Sequence, residues 1–342
     1  MLTPKQIKFI KEELSTAKNP LFFFDDDPDG ICSFLLLYRL HKKGHGVILK
    51  TTPVLDNKFI NKVKEYRPDK IFALDIPIVQ QEFIDSAKRP FFWLDHHTPL
   101  EREHVHYFNP RIKKSDIYLP TSYFGYQLNK KDLWLAMVGC IADWHLPDFA
   151  EKFSKEYPDL LPKVTTIDEA YFDQPISQLV KMFSFLLKGK TSEVLKRIRI
   201  LSRIKSPYEL TKQTTSQGNY LYNAFERINK YYEPLIKTAL EKKSKGKVHL
   251  FTYIESQWSF TPDLAAELLH NNPKKVVIIA RHKSGEMKCS LRSRIIPIAP
   301  ALERALEGIE GYGGGHEYAC GAVIKEQDWD KFLKQFKKEL PK

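Results

Sequence analysis

The stretch Leu21 to Ser33, LFFFDDDPDGICS, limits the possible folds more than any other part of the chain. Four apolar residues, Leu21 to Phe24, run straight into Asp25, Asp27 and Asp29 at alternate positions, followed by Gly30 and a second apolar run from Ile31 to Leu40. That order predicts a short buried strand, an acidic turn and a helix. Three carboxylates within five residues repel one another at neutral pH, so a fold that gathers them needs a compensating cation. Hard divalent metals meet that need through oxygen ligands.

The spelling D-x-D-x-D-G also opens a calcium-binding EF-hand loop, which requires a bidentate Glu at its twelfth position; counting from Asp25 places Leu36 there. The helix that should precede such a loop is missing as well, because Pro20 and the Phe run favour a strand. A solvated acidic turn is the simpler alternative, and the rest of the chain has to decide against it.

At 342 residues, 42% hydrophobic and with 22 Phe, the chain has material for two domains, each with its own core. No apolar run reaches the ~18 residues of a membrane span, and the start MLTPKQIKF lacks the core of a signal peptide, so no membrane partner is expected. Cys32, Cys140, Cys289 and Cys320 lie far apart with no C-x-x-C pair, which argues against a zinc knuckle or a disulfide framework and for a cytoplasmic setting. The net charge of +12, from 54 Lys and Arg against 42 Asp and Glu, favours an anionic partner. Lysine- and glutamate-rich compositions also occur in heat-adapted proteins, so charge alone is a weak guide.

Thr3-Pro4-Lys5-Gln6 carries the signature of a capped helix start. A helix from Ile31 to Lys43 should end at Gly44, with a strand Val47 to Lys50 and a helix Asp56 to Tyr66 after it. Ile71 to Asp75 and Pro90 to His97 read as two further apolar strands separated by a helical stretch, Val79 to Lys88. Strands alternating with helices predict an α/β fold with a mostly parallel sheet flanked by helices. The strands ending at Phe24, Leu74 and Leu94 each run into Asp, and ligands of open α/β sheets sit beyond the carboxyl ends of strands. These residues should therefore share one crevice. Asp143, after the helical run Leu133 to Ile141, reads by itself as an ordinary Asp at a helix end.

From Pro147 to about Lys247 the pattern is helical, and two basic clusters stand out: Lys188, Lys190, Lys196, Arg197, Arg199, Arg203 and Lys205, then Lys242, Lys243, Lys245 and Lys247. They are either solvated helix faces or a surface for nucleic acid. The β/α alternation restarts at Val248 and leads to Gly311-Tyr312-Gly313-Gly314-Gly315-His316 and a closing helix, Trp329 to Leu340. The expected organisation is a catalytic domain over 1–185, a helical connector over 186–246 and a smaller α/β substrate-binding domain over 247–342.

Taken in order, Asp25-Asp26-Asp27-Pro28-Asp29-Gly30, Asp75, Asp95-His96-His97 and Asp143 resemble the four motifs of the DHH phosphoesterases. Ser290-Leu291-Arg292-Ser293 and Gly313-Gly314-Gly315-His316, with Ala319 and Gly321, resemble the DHH-associated domain that follows them. The resemblance runs from about residue 20 to 325 of the sequence. Many members open the first motif with His where this chain has Asp25, and the Asp-led form is more similar to RecJ-type single-strand exonucleases, in a compact archaeal-like version. The bacterial enzyme carries further domains that this length cannot hold.

The resemblance implies phosphodiester hydrolysis by two Mn(II) ions, or Mg(II) in their place, about 3.5 to 4 Å apart. It implies that Asp75 bridges, that Asp25 and Asp27 hold one ion, and that Asp29, His96 and Asp143 hold the other. His97 and Asp95 take the catalytic roles, His97 at the scissile phosphate and Asp95 orienting an imidazole. Ser290, Arg292 and Ser293 with Gly313, Gly314, Gly315 and His316 bind the substrate. Single-stranded DNA or RNA is the expected partner, with replication or repair proteins. The alternatives are an oligoribonuclease or cyclic-dinucleotide phosphodiesterase, a non-enzymatic replication scaffold of the same fold, and an inorganic pyrophosphatase.

Overall fold

The computed structural model describes residues 1–342 except 51–52, 165, 245, 255–256 and 341–342, so Lys245 of the second basic cluster lies outside the described residues. The chain divides into two units, Met1–Phe225 and Glu226–Lys342, and the boundary falls within the helix Ser216–Glu241.

In the first unit five parallel strands lie in the order His45–Leu49, Leu21–Asp25, Ile71–Leu74, Phe91–Leu94 and His106–Phe108. Successive side chains of a strand point to opposite faces, and here both faces are covered. Leu21, Phe23, Ile71, Ala73, Phe91 and Trp93 belong to one core. Phe22, Phe72 and Phe92 stack in a row at 5.3 and 4.8 Å, and Phe24 lies on Phe34 of the following helix at 4.5 Å. Double burial accounts for the continuous apolar runs in the sequence.

Two backbone hydrogen bonds carry the ladder one residue past the strands: Asp75 N–H to Leu94 O at 2.9 Å and Asp95 N–H to Phe108 O at 3.1 Å. The sheet thus fixes the backbone of both aspartates. The helix Pro28–His41 starts directly beyond the first strand with Asp27 as its N-cap, whose side chain accepts from Gly30 N–H at 2.8 Å. A Cβ on Gly30 would sit 2.7 Å from Asp25 O, so only glycine lets the helix start this close to the strand end. Thr3 and Gln6 form the expected capping box of the first helix.

Several expected elements change in detail. The helix over 56–66 is a 3₁₀ turn Asn57–Phe59 followed by Ile60–Tyr66. The stretch over 79–88 shortens to Gln81–Ala87, because Ile78–Val79 pairs in parallel with Val54–Leu55. The strand His106–Phe108 and the helix Thr121–Leu128 carry no clear sequence signal, the first for its length and the second because it holds Gly125 and is tied down by a distant side chain.

The second unit is built on a mixed sheet, ordered Gly311–His316, Ala319–Lys325, Glu286–Arg292, Val276–Lys283 and Val248–Ile254. Only the last two strands are parallel. The expected β/α alternation holds for that pair alone; hairpin pairing takes over in the rest. The glycine run is an exposed edge strand, with Gly313, Gly314 and Gly315 opposite Ala322, Gly321 and Cys320. Ile278, Leu291, Ile298, Leu302, Phe332 and Phe336 form the core of this unit.

Candidate metal centre

Four stretches far apart in the sequence meet beyond the carboxyl ends of the parallel strands. One ligand atom each from Asp75, His96 and His97 lies within 4.8 Å of the others, and the same holds for Asp29, His96 and Asp143. His96 is common to both groups. Its Nε2 lies 3.3 Å from Asp75 Oδ1 and 3.4 Å from Asp143 Oδ2. Asp25 and Asp27 stand outside these two groups but border them electrostatically, since the charge of Asp75 acts on both.

Burial and mutual repulsion dominate the carboxylates. Burial and then the Asp75 charge push Asp25 up to about 7, and burial raises Asp143 to about 6 even with His96 beside it. Asp27 and Asp29 are held well above the usual carboxylate range by burial and by the charges around them, Asp75 foremost. Asp75 is the exception. Burial disfavours its charge, yet the hydrogen bond and charge of His96, the charge of His97 and the Thr121 hydroxyl, 3.0 Å away, bring it down to about 2. Asp75 has a positive φ of 59°, a conformation that Asp tolerates better than most residues.

Asp95 is fully buried and saturated. Its Oδ2 accepts from His97 N–H, Tyr107 Oη and Asn109 Nδ2 at 3.1, 3.2 and 3.2 Å, and its Oδ1 is 2.7 Å from His97 Nδ1. That contact fixes the ring of His97. Burial opposes protonation of His97, but the bond to Asp95 and the charges of Asp75, Asp95 and Asp143 outweigh it and raise His97 to about 9.

The donor set fits a hard divalent cation. Asp143 Oδ2 is buried and accepts no hydrogen bond among the described residues, and burial together with the neighbouring carboxylate charges raises Asp25, Asp27, Asp29 and Asp143 in spite of the two histidines. One imidazole among carboxylates suits Mn(II) or Mg(II) better than a thiolate-seeking metal. Asp29 has a second task that its sequence position does not reveal: Oδ2 and Oδ1 accept the backbone N–H groups of Thr121 and Ser122 at 2.7 and 2.9 Å. It thereby caps the helix Thr121–Leu128 from a distance, and lone pairs facing away from those bonds remain for an ion. A Cβ on Gly139 would meet Ser122 at 2.6 Å, so that glycine lets the helix bearing Asp143 close on the helix held by Asp29.

The sequence pattern does not single out Thr121, Ser122 or Tyr118. Tyr118 donates to Asp143 O at 3.1 Å and meets the His96 ring edge-on at 5.2 Å. Pro120 before Thr121-Ser122 is the one signal that marks a helix start there. Arg197, counted in the first basic cluster, faces inward. It is buried, donates to Leu186 O and Lys188 O at 3.1 and 2.7 Å, and pairs with Glu193. Its role is to hold helix ends together, whereas Lys190, Lys196, Arg199, Arg203 and Lys205 are exposed.

In the second unit Ser290, Arg292, Gly313 and Gly314 line one open cleft of about 520 Å³, together with Arg281 and Lys288. Gly315, His316 and Ser293 are not among its lining residues. The Ser293 hydroxyl accepts from Ile295 and Ile296 N–H at 3.3 and 3.0 Å and shapes the turn after the strand.

Residues 244–342 match the DHHA1 domain family. No curated protein matches the chain in sequence. Among solved structures, RecJ from Thermus thermophilus in complex with Mn²⁺ is similar at a TM-score of 0.70 and 18% identity, over 99% of this chain and 55% of that one. This chain therefore spans about half the length of that relative. A DHH domain described as from a member of the s1p family of ribosomal proteins gives a TM-score of 0.68 at 13% identity, covering 98% and 89%. An exonuclease RecJ bound to manganese gives 0.56 at 18% identity, covering 97% and 92%. At such identities the likeness is one of fold. With a DHHA1 domain closing the chain and acidic strand ends gathered around His96, the protein has the RecJ-like fold of the DHH phosphoesterases.

Proposed function

We propose that the protein is a divalent-metal-dependent phosphodiesterase that removes nucleotides from an end of single-stranded DNA or RNA. The observation that carries this reading is the meeting of Asp29, Asp75, His96 and Asp143, from four separate segments, within the reach of shared ions. Asp25, Asp27 and Asp75 would hold one ion, and Asp29, Asp75, His96 and Asp143 would hold the other. Two Mn(II) ions, or Mg(II), would supply an activated water and neutralise charge on the phosphate.

The chain's own groups do the rest. His97, locked through Nδ1 by Asp95, presents its other nitrogen as a donor to a phosphate oxygen. Arg292 and Ser290, with the glycine edge and His316, bind the substrate backbone in the DHHA1 unit. The exposed lysines and arginines of 190–205 favour a long anionic strand. Similarity to RecJ structures carrying manganese, one of them described as an exonuclease, supports the metal and the reaction; a cytoplasmic setting with replication or repair proteins as partners belongs to the same proposal.

The small size of the cleft in the second unit favours one further reading, a short oligoribonucleotide or a cyclic dinucleotide as substrate. End-labelled single strands of DNA and RNA, digested with Mn(II), separate the two. Stepwise shortening of long strands supports the exonuclease, and turnover of dinucleotides alone supports the alternative. Full activity after the paired substitutions Asp75→Ala and His96→Ala removes the site assignment.

A further inference from the structure

Two exposed aromatic residues adjoin the acidic centre, Trp144 as the chain neighbour of Asp143 and Tyr118 by direct contact, and have no part in the chemistry above. Trp144 follows Asp143 directly, has a positive φ of 56° and is 40% exposed. A bulky side chain rarely adopts that backbone conformation, and such outliers gather at functional sites. The backbone is held by Trp144 N–H to Ile141 O at 3.0 Å. The indole stacks on Tyr171 at 4.9 Å and 11°, and Phe172 supports it at 5.8 Å. Both rings come from a π-helical turn, Glu169–Asp173, a feature often found at functional sites.

Tyr118 is 47% exposed, with its hydroxyl tied to the Asp143 carbonyl and its ring edge-on to His96. Plain packing explains the Tyr171 and Phe172 contacts. It does not explain why the rings joined to Asp143 and His96 stay at the surface, while Trp93 and Trp134 of the same unit are wholly buried.

We propose that Trp144, with Tyr118 held on the Asp143 carbonyl, is a stacking site for the nucleobase next to the scissile phosphate. A flat, uncharged π-face matches these rings, whereas further anionic groups would be repelled by the carboxylates. Stacking tolerates any base, as an end-degrading enzyme requires. The inference rests on the phosphodiesterase reading and adds to it where the base is held.

The test uses the full chain with Mn(II) and compares single strands that are intact with strands abasic on either side of the cleaved bond. Trp144→Leu should raise KM about tenfold on the intact strand with kcat little changed. On the strand abasic at the stacked position the difference from the unsubstituted protein should shrink below about twofold, and Trp144→Phe should retain most of the affinity. An equal Trp144→Leu effect on all strands overturns the stacking site. Cleavage of none of the strands by the unsubstituted protein removes the phosphodiesterase reading and this site with it. Should Trp144→Leu fail to fold, tryptophan emission decides: strand binding should quench the unsubstituted protein more than Trp144→Phe, and equal quenching overturns the proposal.

Discussion

The acidic centre of the first unit and the glycine edge of the second use the chain in opposite ways. In the first, side chains converge, are buried and oppose one another electrically, so that Asp25, Asp27, Asp29 and Asp143 are all pushed towards their neutral forms. In the second, backbone lies bare on an edge strand whose every residue is exposed. A site that stores unfavourable charge demands a cation, while an exposed polar edge merely accepts a ligand. The first should therefore control turnover and the second affinity.

The largest expected difference is in catalysis. Asp75→Asn should lower Mn(II)-dependent hydrolysis by about 10³-fold or more, as loss of a preorganised charged group does. Arg292→Ala should leave kcat within a few-fold and raise KM about tenfold, the scale of one charge-assisted contact. Steady-state kinetics on a single strand checks both, and a kcat collapse in Arg292→Ala would break the division of labour.

Stability separates the carboxylates from one another. Asp29→Ala strips two buried N–H groups of their acceptor and should cost about 1–3 kcal/mol in metal-free denaturant unfolding. Asp143→Asn removes a charge that burial and Asp75 disfavour more than His96 favours it, and should leave the metal-free protein at least as stable. Equal losses would show that Asp29 is no cap.

The pH dependence follows from the sign of the shifts. Asp25 at about 7 and Asp143 at about 6 lie above their unfolded values near 4. Their contribution to stability is present below pH 4 and is lost as pH rises through 6 to 7. Ions bind the deprotonated forms, so the rise in Tm produced by Mn(II) should be large at pH 8 and small at pH 5. A Tm increment independent of pH would contradict the charge account.

The smallest effect belongs to the surface. Replacing Lys190, Lys196, Arg199 and Arg203 by Gln should flatten the salt dependence of strand binding without changing hydrolysis of a dinucleotide. Titrations at several salt concentrations measure the slope.

The strand-end aspartates were legible because parallel strands buried on both faces leave uninterrupted apolar runs, and an Asp at the end of each is conspicuous. Asp143 was legible only by resemblance, since nothing in its own neighbourhood distinguishes it from a helix terminus. Thr121 and Ser122 were hidden because their role rests on backbone N–H groups, to which every residue type contributes alike. Arg197 was misread because a charge run does not say which member faces inward. The glycine run was read for its backbone freedom, but its pairing with 319–325 depends on register, which a stretch without side chains does not encode.

The most direct test of the central claim is anomalous diffraction from crystals grown with Mn(II) at pH 8. The account predicts one peak among Asp25, Asp27 and Asp75 and another among Asp29, Asp75, His96 and Asp143. A well-ordered protein with no manganese at either group would contradict it.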